Sequence, residues 1–129
     1  MVGRNYTQSD KKASALEMRA MFGSSPIRPV YYVAEEKGQI VGLIGTTLSW
    51  MSYDIYQIFW VNVLPERQRS GIGSLLIEHA IDQIGKNKNA SLVQLTGAPQ
   101  KAPFYRRFGF RKVLTFGCKG DFLMSLKLR

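Results

Sequence analysis

Cysteine and histidine occur once each in the 129 residues, as Cys118 and His79. No internal disulfide can form, and a single cysteine fits a reducing, cytoplasmic setting. Nothing resembles a zinc site or a helix-turn-helix. No apolar run approaches the length of a membrane span, which sets a membrane role aside. The opening residues Met1-Val2-Gly3-Arg4-Asn5 are not followed by an apolar h-region, so no signal peptide is visible. Neither an internal repeat nor a low-complexity linker interrupts the chain, and residues 1–129 read as one domain. Acid is scarce: Lys and Arg number 18 against 9 Asp and Glu, a net charge of +9. Lys101, Arg106, Arg107, Arg111 and Lys112 lie in a stretch without any acid. Such a surface suits a polyanion or a phosphate-bearing small molecule, or is simply a solvated basic face.

Apolar periodicity supplies the elements. Asp10 to Phe22 reads as a helix, with Ser9 or Asp10 as its cap and Gly23-Ser24-Ser25-Pro26 as its stop. Val30–Ala34 and Gln39–Trp50 read as strands joined by a hairpin at Glu35-Glu36-Lys37-Gly38. Gly42 and Gly45 mark a close approach or a bulge. Ile55–Val63 is almost continuously apolar, as in a central strand covered on both faces. From Gly71 to Gly85, Ile72, Leu76, Ile77, Ala80, Ile81 and Ile84 fall on one helical side, and Asp82 can pair with Lys86. Ser91–Thr96 is a strand, Lys101–Phe108 a short helix with Gly109 as C-cap, and Phe110–Thr115 and Asp121–Lys127 close the sheet. Cys118 reads as a small buried residue. Hairpins precede one strand-helix-strand unit. The fold class is therefore α/β (α+β), with a mixed, mostly antiparallel sheet flanked by helices.

The segment between the central strand and the long helix carries the chemistry. Pro65 stops the strand, a basic loop with Arg67 and Arg69 follows, and Gly71 and Gly73 open the helix. A helix start offers unpaired N–H groups and a dipole that favours an anion, and glycine lets the main chain come close to a phosphate. The loop lacks the Gly-Lys-Ser/Thr of a Walker loop, and Leu76 stands where a dinucleotide fingerprint needs its third glycine. A pyrophosphate site and an ordinary strand-to-helix turn both fit these residues alone.

Gln68-Arg69-Ser70-Gly71-Ile72-Gly73 resembles the Gln/Arg-x-x-Gly-x-Gly/Ala acyl-CoA signature of the GNAT family, the Gcn5-related N-acetyltransferases. Val63-Leu64-Pro65 matches its usual lead-in. Phe104-Tyr105-Arg106-Arg107-Phe108-Gly109-Phe110 is similar to the family's Phe/Leu-Tyr-x-x-x-Gly-Phe segment. The resemblance covers roughly residues 30 to 125. GNAT domains usually begin with a strand and two helices, so the N-terminus here is shortened. The expected sheet then has an exposed edge, and either a second copy in a homodimer walls the acceptor site or the site is open.

The resemblance implies acyl transfer from acetyl-CoA, the cosubstrate, to a primary amine. It implies cofactor contacts from Gln68, Arg69, Ser70, Gly71, Ile72, Gly73 and Ser74, and main-chain contacts from Val61 and Val63 to the pantetheine arm. It implies that Tyr105 protonates the departing thiolate, as a phenol still protonated at neutral pH can do. Some family members carry a basic Glu on the central strand, and its position here is Gln57, a neutral amide. Asp54 reads as a turn cap and His79 as a structural or surface residue. An Asn often used to hold the cofactor has no counterpart in Thr96-Gly97-Ala98-Pro99. A catalytically inactive acyl-CoA-binding module is the alternative, and nucleic-acid binding by charge alone is the third reading. Trp50, Met51, Tyr53 and Tyr56 read as lining an apolar acceptor pocket or as core and dimer contacts.

Overall fold

The computed structural model describes residues 29–49 and 52–129. The expected helix at Asp10–Phe22 and the residues Trp50 and Met51 lie outside them. The described elements are β1 (Val30–Glu36), β2 (Gln39–Leu48), β3 (Ile55–Val63), α1 (Ile72–Gly85), β4 (Leu92–Gly97), α2 (Ala102–Arg106), β5 (Arg111–Phe116) and β6 (Asp121–Lys127). They build one six-stranded sheet in the order β1-β2-β3-β4-β6-β5. Every pairing is antiparallel except that of β3 with β4. The mixed, mostly antiparallel sheet expected from the sequence is thus present.

The hairpin between β1 and β2 is tighter than its four polar residues suggested. Glu36 pairs with Gln39, leaving a two-residue turn. Lys37 and Gly38 both have positive φ, 51° and 78°. That is the type I′ geometry whose twist matches the flanking strands. The second short helix is also reduced. Pro99–Lys101 forms a 3₁₀ turn, and the α-helical part is Ala102–Arg106.

α1 covers one face of the sheet. Ile72, Leu76, Ile77, Ala80 and Ile84 are buried on it, and Glu78 and Asp82 face solvent. No ion pair joins Asp82 to Lys86; among the described residues the one ion pair is Arg67 with Glu36, at 2.6 Å. The two strand glycines mark close approaches. A Cβ on Gly42 would lie 3.0 Å from Ile72 Cγ2 and Leu76 Cδ1, and one on Gly45 would lie 2.6 Å from the Phe59 ring. These contacts face opposite sides of β2, so each glycine lets a large side chain from one layer lie flat on the sheet.

β3 departs from the expectation of a strand covered on both faces. Ile58, Val61 and Val63 are buried toward α1, whereas Phe59 is half-buried and Gln57 exposed on the other face. Strict alternation would put Val61 and Val63 on the side of Phe59. A bulge restores them. Gly45 pairs with Phe59 and Leu43 with Asn62, so Trp60 and Val61 together oppose Ile44. Trp60 takes φ 50°, a left-handed conformation costing about 1–3 kcal/mol, held in place by the surrounding pairing.

At the far edge, every residue of β5 is exposed. Cys118 is exposed too, against expectation, because it sits at the tip of the β5–β6 hairpin between Gly117 and Gly120, both with positive φ.

Packing at the glycines predicts opposite outcomes for one substitution type. Gly45→Ala drives a methyl into the Phe59 ring and is expected to destabilise by about 1–3 kcal/mol. Gly85→Ala meets nothing within 4 Å at the end of α1 and is expected to stabilise by up to about 1 kcal/mol. Urea unfolding of both variants checks the pair.

Candidate active site

β3 and β4 run parallel, but only Ile55, Tyr56 and Gln57 pair, with Leu92, Val93 and Gln94. Beyond Gln57 the strands separate. Their N-terminal ends are tied by Asp54. Its carbonyl accepts from Ser91 N at 2.8 Å and Leu92 N at 3.3 Å, and its carboxylate accepts from Ser91 Oγ at 2.6 Å and from Ser52 Oγ. These hydroxyl donors, Ser52 first, hold the Asp54 carboxyl below its ordinary value. Asp54 is a structural tie at the closed end of the gap, as its reading as a turn cap suggested.

A cavity of about 230 Å³ opens where the strands part, on the face away from α1. Gln57, Phe59, Gln94 and Thr96 line it, with Thr47 and Leu123 at its sides. None of its lining residues is acidic. Of the four residues read as lining an acceptor pocket or as core and dimer contacts, Trp50 and Met51 lie outside the described residues, and neither Tyr53 nor Tyr56 lines this cavity. Tyr53 is 73% exposed, and the Tyr56 hydroxyl accepts from Asn87 Nδ2 at 2.7 Å. His79 is exposed and lies edge-on against the Tyr32 ring, with centroids 4.8 Å apart.

The open end of β3 leads into the basic loop. Leu64 N donates to Val41 O across the β2 side at 2.9 Å. Alternation then turns the backbone groups of Val63 toward the gap, where β4 no longer pairs. The Val63 carbonyl accepts from Gln68 Nε2 at 3.1 Å, so Gln68 folds the loop back onto the strand end. Val61 lies in the same unpaired stretch, its side chain buried.

Pro65–Arg67 forms a 3₁₀ turn, and Arg69 and Gly71 then take positive φ of 65° and 87°. Arg67 is bonded to Glu36, and Ser70 Oγ donates to Arg67 O. The first N–H to enter the helical ladder is that of Leu75, donating to Gly71 O at 3.1 Å. Among the described residues, none of the N–H groups from Arg69 to Ser74 has a backbone acceptor, and no side chain caps α1. The first turn of α1 carries no acid. Left-handed residues within the turn and a helix start together form a concave run of open donors, suited to an anion. Arg69, Ser70 and Gly71 are exposed on this run, whereas Ile72 and Gly73 are buried beneath it.

Tyr105 stands on the other arm of the gap. Its ring lies 3.4 Å from the point where a Cβ on Gly97, the last residue of β4, would be. The residue is 5% exposed and packs against Phe104 and Phe110. Burial pushes the phenol up to about 12. Among the described residues, Asn62 Oδ1 and Arg67 Nε are the buried side-chain polar atoms without a partner. The Tyr105 oxygen is not one of them. The site residues expected from the sequence therefore gather around one gap, with Val61, Val63 and the 68–74 loop on the β3 side and Tyr105 on the β4 side. The sequence singled out Gln57 but not its register partner Gln94 on the cavity floor, nor the Trp60 bulge, for which no glycine signals.

The acetyltransferase (GNAT) domain family matches residues 28–112. The chain belongs to the GNAT acetyltransferase family. Solved structures share its fold at low identity. An acetyltransferase assigned to the GNAT family from Desulfovibrio desulfuricans superposes with a TM-score of 0.78 at 19% identity, covering 98% of this chain and 86% of that one. An aminoglycoside 6′-N-acetyltransferase complexed with coenzyme A gives 0.75 at 15%, covering 96% and 82%. The ribosomal-protein-S18-alanine N-acetyltransferase of Escherichia coli gives 0.71 at 19%, covering 97% and 92%. No curated protein matches the sequence. One fold thus serves an aminoglycoside acceptor in one of these proteins and a protein alanine in another, and does not choose the acceptor. No helix among the described residues is long and apolar enough to cross a membrane.

Asp54 yields a pH-dependent expectation. Its carboxyl is lowered in the folded state, so its contribution is present above the unfolded aspartate range near 4 and is lost as pH falls through the folded value. Asp54→Asn is expected to be less stable than the parent at pH 7, with the difference shrinking below about pH 4. Urea midpoints measured across that range check it.

Proposed function

We propose that this GNAT domain, taken as residues 1–129, transfers the acetyl group of acetyl-CoA to a primary amine by direct attack within a ternary complex. The observation that carries this reading is the run of open N–H groups from Arg69 to Ser74 at the start of α1. It fits a pyrophosphate, whose oxygens need several donors and no nearby acid. Arg69, Ser70, Gly71, Ile72, Gly73 and Ser74 would hold it, with Gln68 bracing the loop. The gap-facing main chain of Val63, and that of Val61, would hold the pantetheine amides.

Acetyl-CoA supplies an acyl group already activated as a thioester. The chain's residues supply position and protons. Main-chain N–H groups in the unpaired stretch of β3, rigid because the bulge is locked by β2, can face the oxygen on which negative charge develops. Tyr105 holds its proton throughout the neutral range and donates it toward the departing sulfur. Gln57 can orient a water or the amine but cannot accept the amine's proton. With no carboxylate lining the cavity, that proton leaves through water or before binding. A cytoplasmic setting goes with this reading and is supported by the single cysteine.

Gln57 also favours a second reading, an acyl-CoA-binding module without turnover. Calorimetric titration with acetyl-CoA at low and moderate salt tests what the two share. Saturable one-site binding that survives moderate salt is expected, and its absence overturns both. Tyr105→Phe separates them. Turnover is expected to fall by about 10²- to 10⁴-fold with acetyl-CoA affinity unchanged. Undiminished turnover in the variant removes Tyr105 from the mechanism. The phenol's position near 12 adds that kcat should rise with pH through the acceptor's own titration, with no alkaline loss from Tyr105 below about pH 11.

A further inference from the structure

Strand register sets five polar residues in one row across the face opposite α1. Thr47 pairs with Gln57, Gln57 with Gln94, Gln94 with Ser125, and Ser125 with Arg111. Directly paired residues share a face, so these side chains stand side by side across β2, β3, β4, β6 and β5. The row begins in the cavity between β3 and β4. It ends in a second cavity of about 400 Å³, lined by Gly109, Arg111, Ser125, Leu126 and Lys127. The two cavities share no residue, but Gln94 of the first is the register partner of Ser125 in the second.

The second cavity is positive. Arg111 and Lys127 line it, no acid does, and neither cation has an ion pair among the described residues. Between the cavities the row is neutral and can donate or accept through amides and a hydroxyl. From Gln94 on β4 to Arg111 on β5 is two strand spacings, about 10 Å. An apolar row runs alongside it, with Leu123 paired to Leu114, which is 48% exposed.

We infer that the acceptor is an amine that also carries an anionic group, a carboxylate or a phosphate, about 10 Å from the reacting nitrogen. The amine end occupies the cavity at Gln57 and Gln94, and the anion is bound by Arg111 and Lys127. The inference rests on the acyl-transfer reading for which end reacts, but the binding it asserts does not require turnover. It disfavours polycationic acceptors, because the far cavity and the net charge of +9 both repel them.

Equilibrium titrations of the full chain test it with defined probes. Triglycine spans about 10 Å from amine to carboxylate, since an extended chain advances about 3.3 Å per residue. Triglycine amide lacks the carboxylate, 6-aminohexyl phosphate replaces it with a phosphate, and spermidine replaces it with a cation. Triglycine or 6-aminohexyl phosphate is expected to bind at least about tenfold more tightly than triglycine amide, a gap set by the anion and reduced by salt. Which of the two binds better identifies the anion. Spermidine is expected to bind most weakly. In the double variant Arg111→Gln, Lys127→Gln, the advantage of the anionic probes should vanish. Thermal melting and acetyl-CoA titration of that variant show whether it is folded, and Arg111→Lys should keep part of the preference. Affinity for both triglycine and 6-aminohexyl phosphate no greater than for triglycine amide, or no binding of any probe, overturns the inference. Failure of acetyl-CoA to bind the parent overturns the acyl-transfer reading instead, so the two failures are distinguishable.

Discussion

The parting of β3 from β4 is the constraint on which the rest of the structure depends. Two parallel strands normally satisfy each other's backbone groups along their whole length. Here they pair over three residues and then separate, with the Asp54–Ser91 tie holding the closed end. The part of the site where the acyl group would react uses what that separation exposes. Val63 turns main-chain groups into the gap, the cavity opens between Gln57 and Gln94, and Tyr105 packs beneath the last residue of β4. The gap survives because each strand is held from its other side, β3 by β2 and β4 by β6. Neither strand relies on the other for its register.

The loop after β3 satisfies a second requirement by a different route. A buried helix start with open donors is costly unless solvent or a ligand reaches it. Arg69, Ser70 and Gly71 are exposed, so water can reach the outer donors. Gln68, Ser70 and Arg67 consume carbonyls and charges around the run without occupying its N–H groups. The local bonding shapes the loop and leaves its donors free. A merely structural turn would more often close them with an Asp or Ser cap.

Much of this was legible in the residues because it depends on local pattern. The apolar stripe of Ile72, Leu76, Ile77, Ala80 and Ile84 needs only helical spacing to be read, and Pro65, Gly71 and Gly73 punctuate a strand-to-helix turn. Gly42 and Gly45 announced close packing, although not what would pack there. The bulge at Trp60 could not be read, because tryptophan has no preference for positive φ and pairing with β2 imposes it. Its effect is large: it decides that Val61 and Val63 face α1. Cys118 is exposed against expectation because a lone cysteine in a strand-like region is more often a small buried residue, while Gly117 and Gly120 make a hairpin tip here. The relation between Gln94 and Ser125 was beyond reach, because register between distant strands is a property of the whole sheet.

The edge strand β5 has a consequence for solubility. Its residues are all exposed, and Val113, Leu114 and Phe116 are large and apolar. A bare, apolar-rich strand at the end of a sheet is a template on which another chain can add itself. Arg111 and Lys112 lie at the start of that strand, and a register shift falls between Lys112 and Leu114. Unpaired positive charge and a local kink are two devices by which edge strands resist growth into fibres. The scarcity of acid along this part of the chain therefore has a second physical meaning. It leaves the cations at this edge unneutralised, so copies approaching along it repel, and the sheet ends where β5 ends.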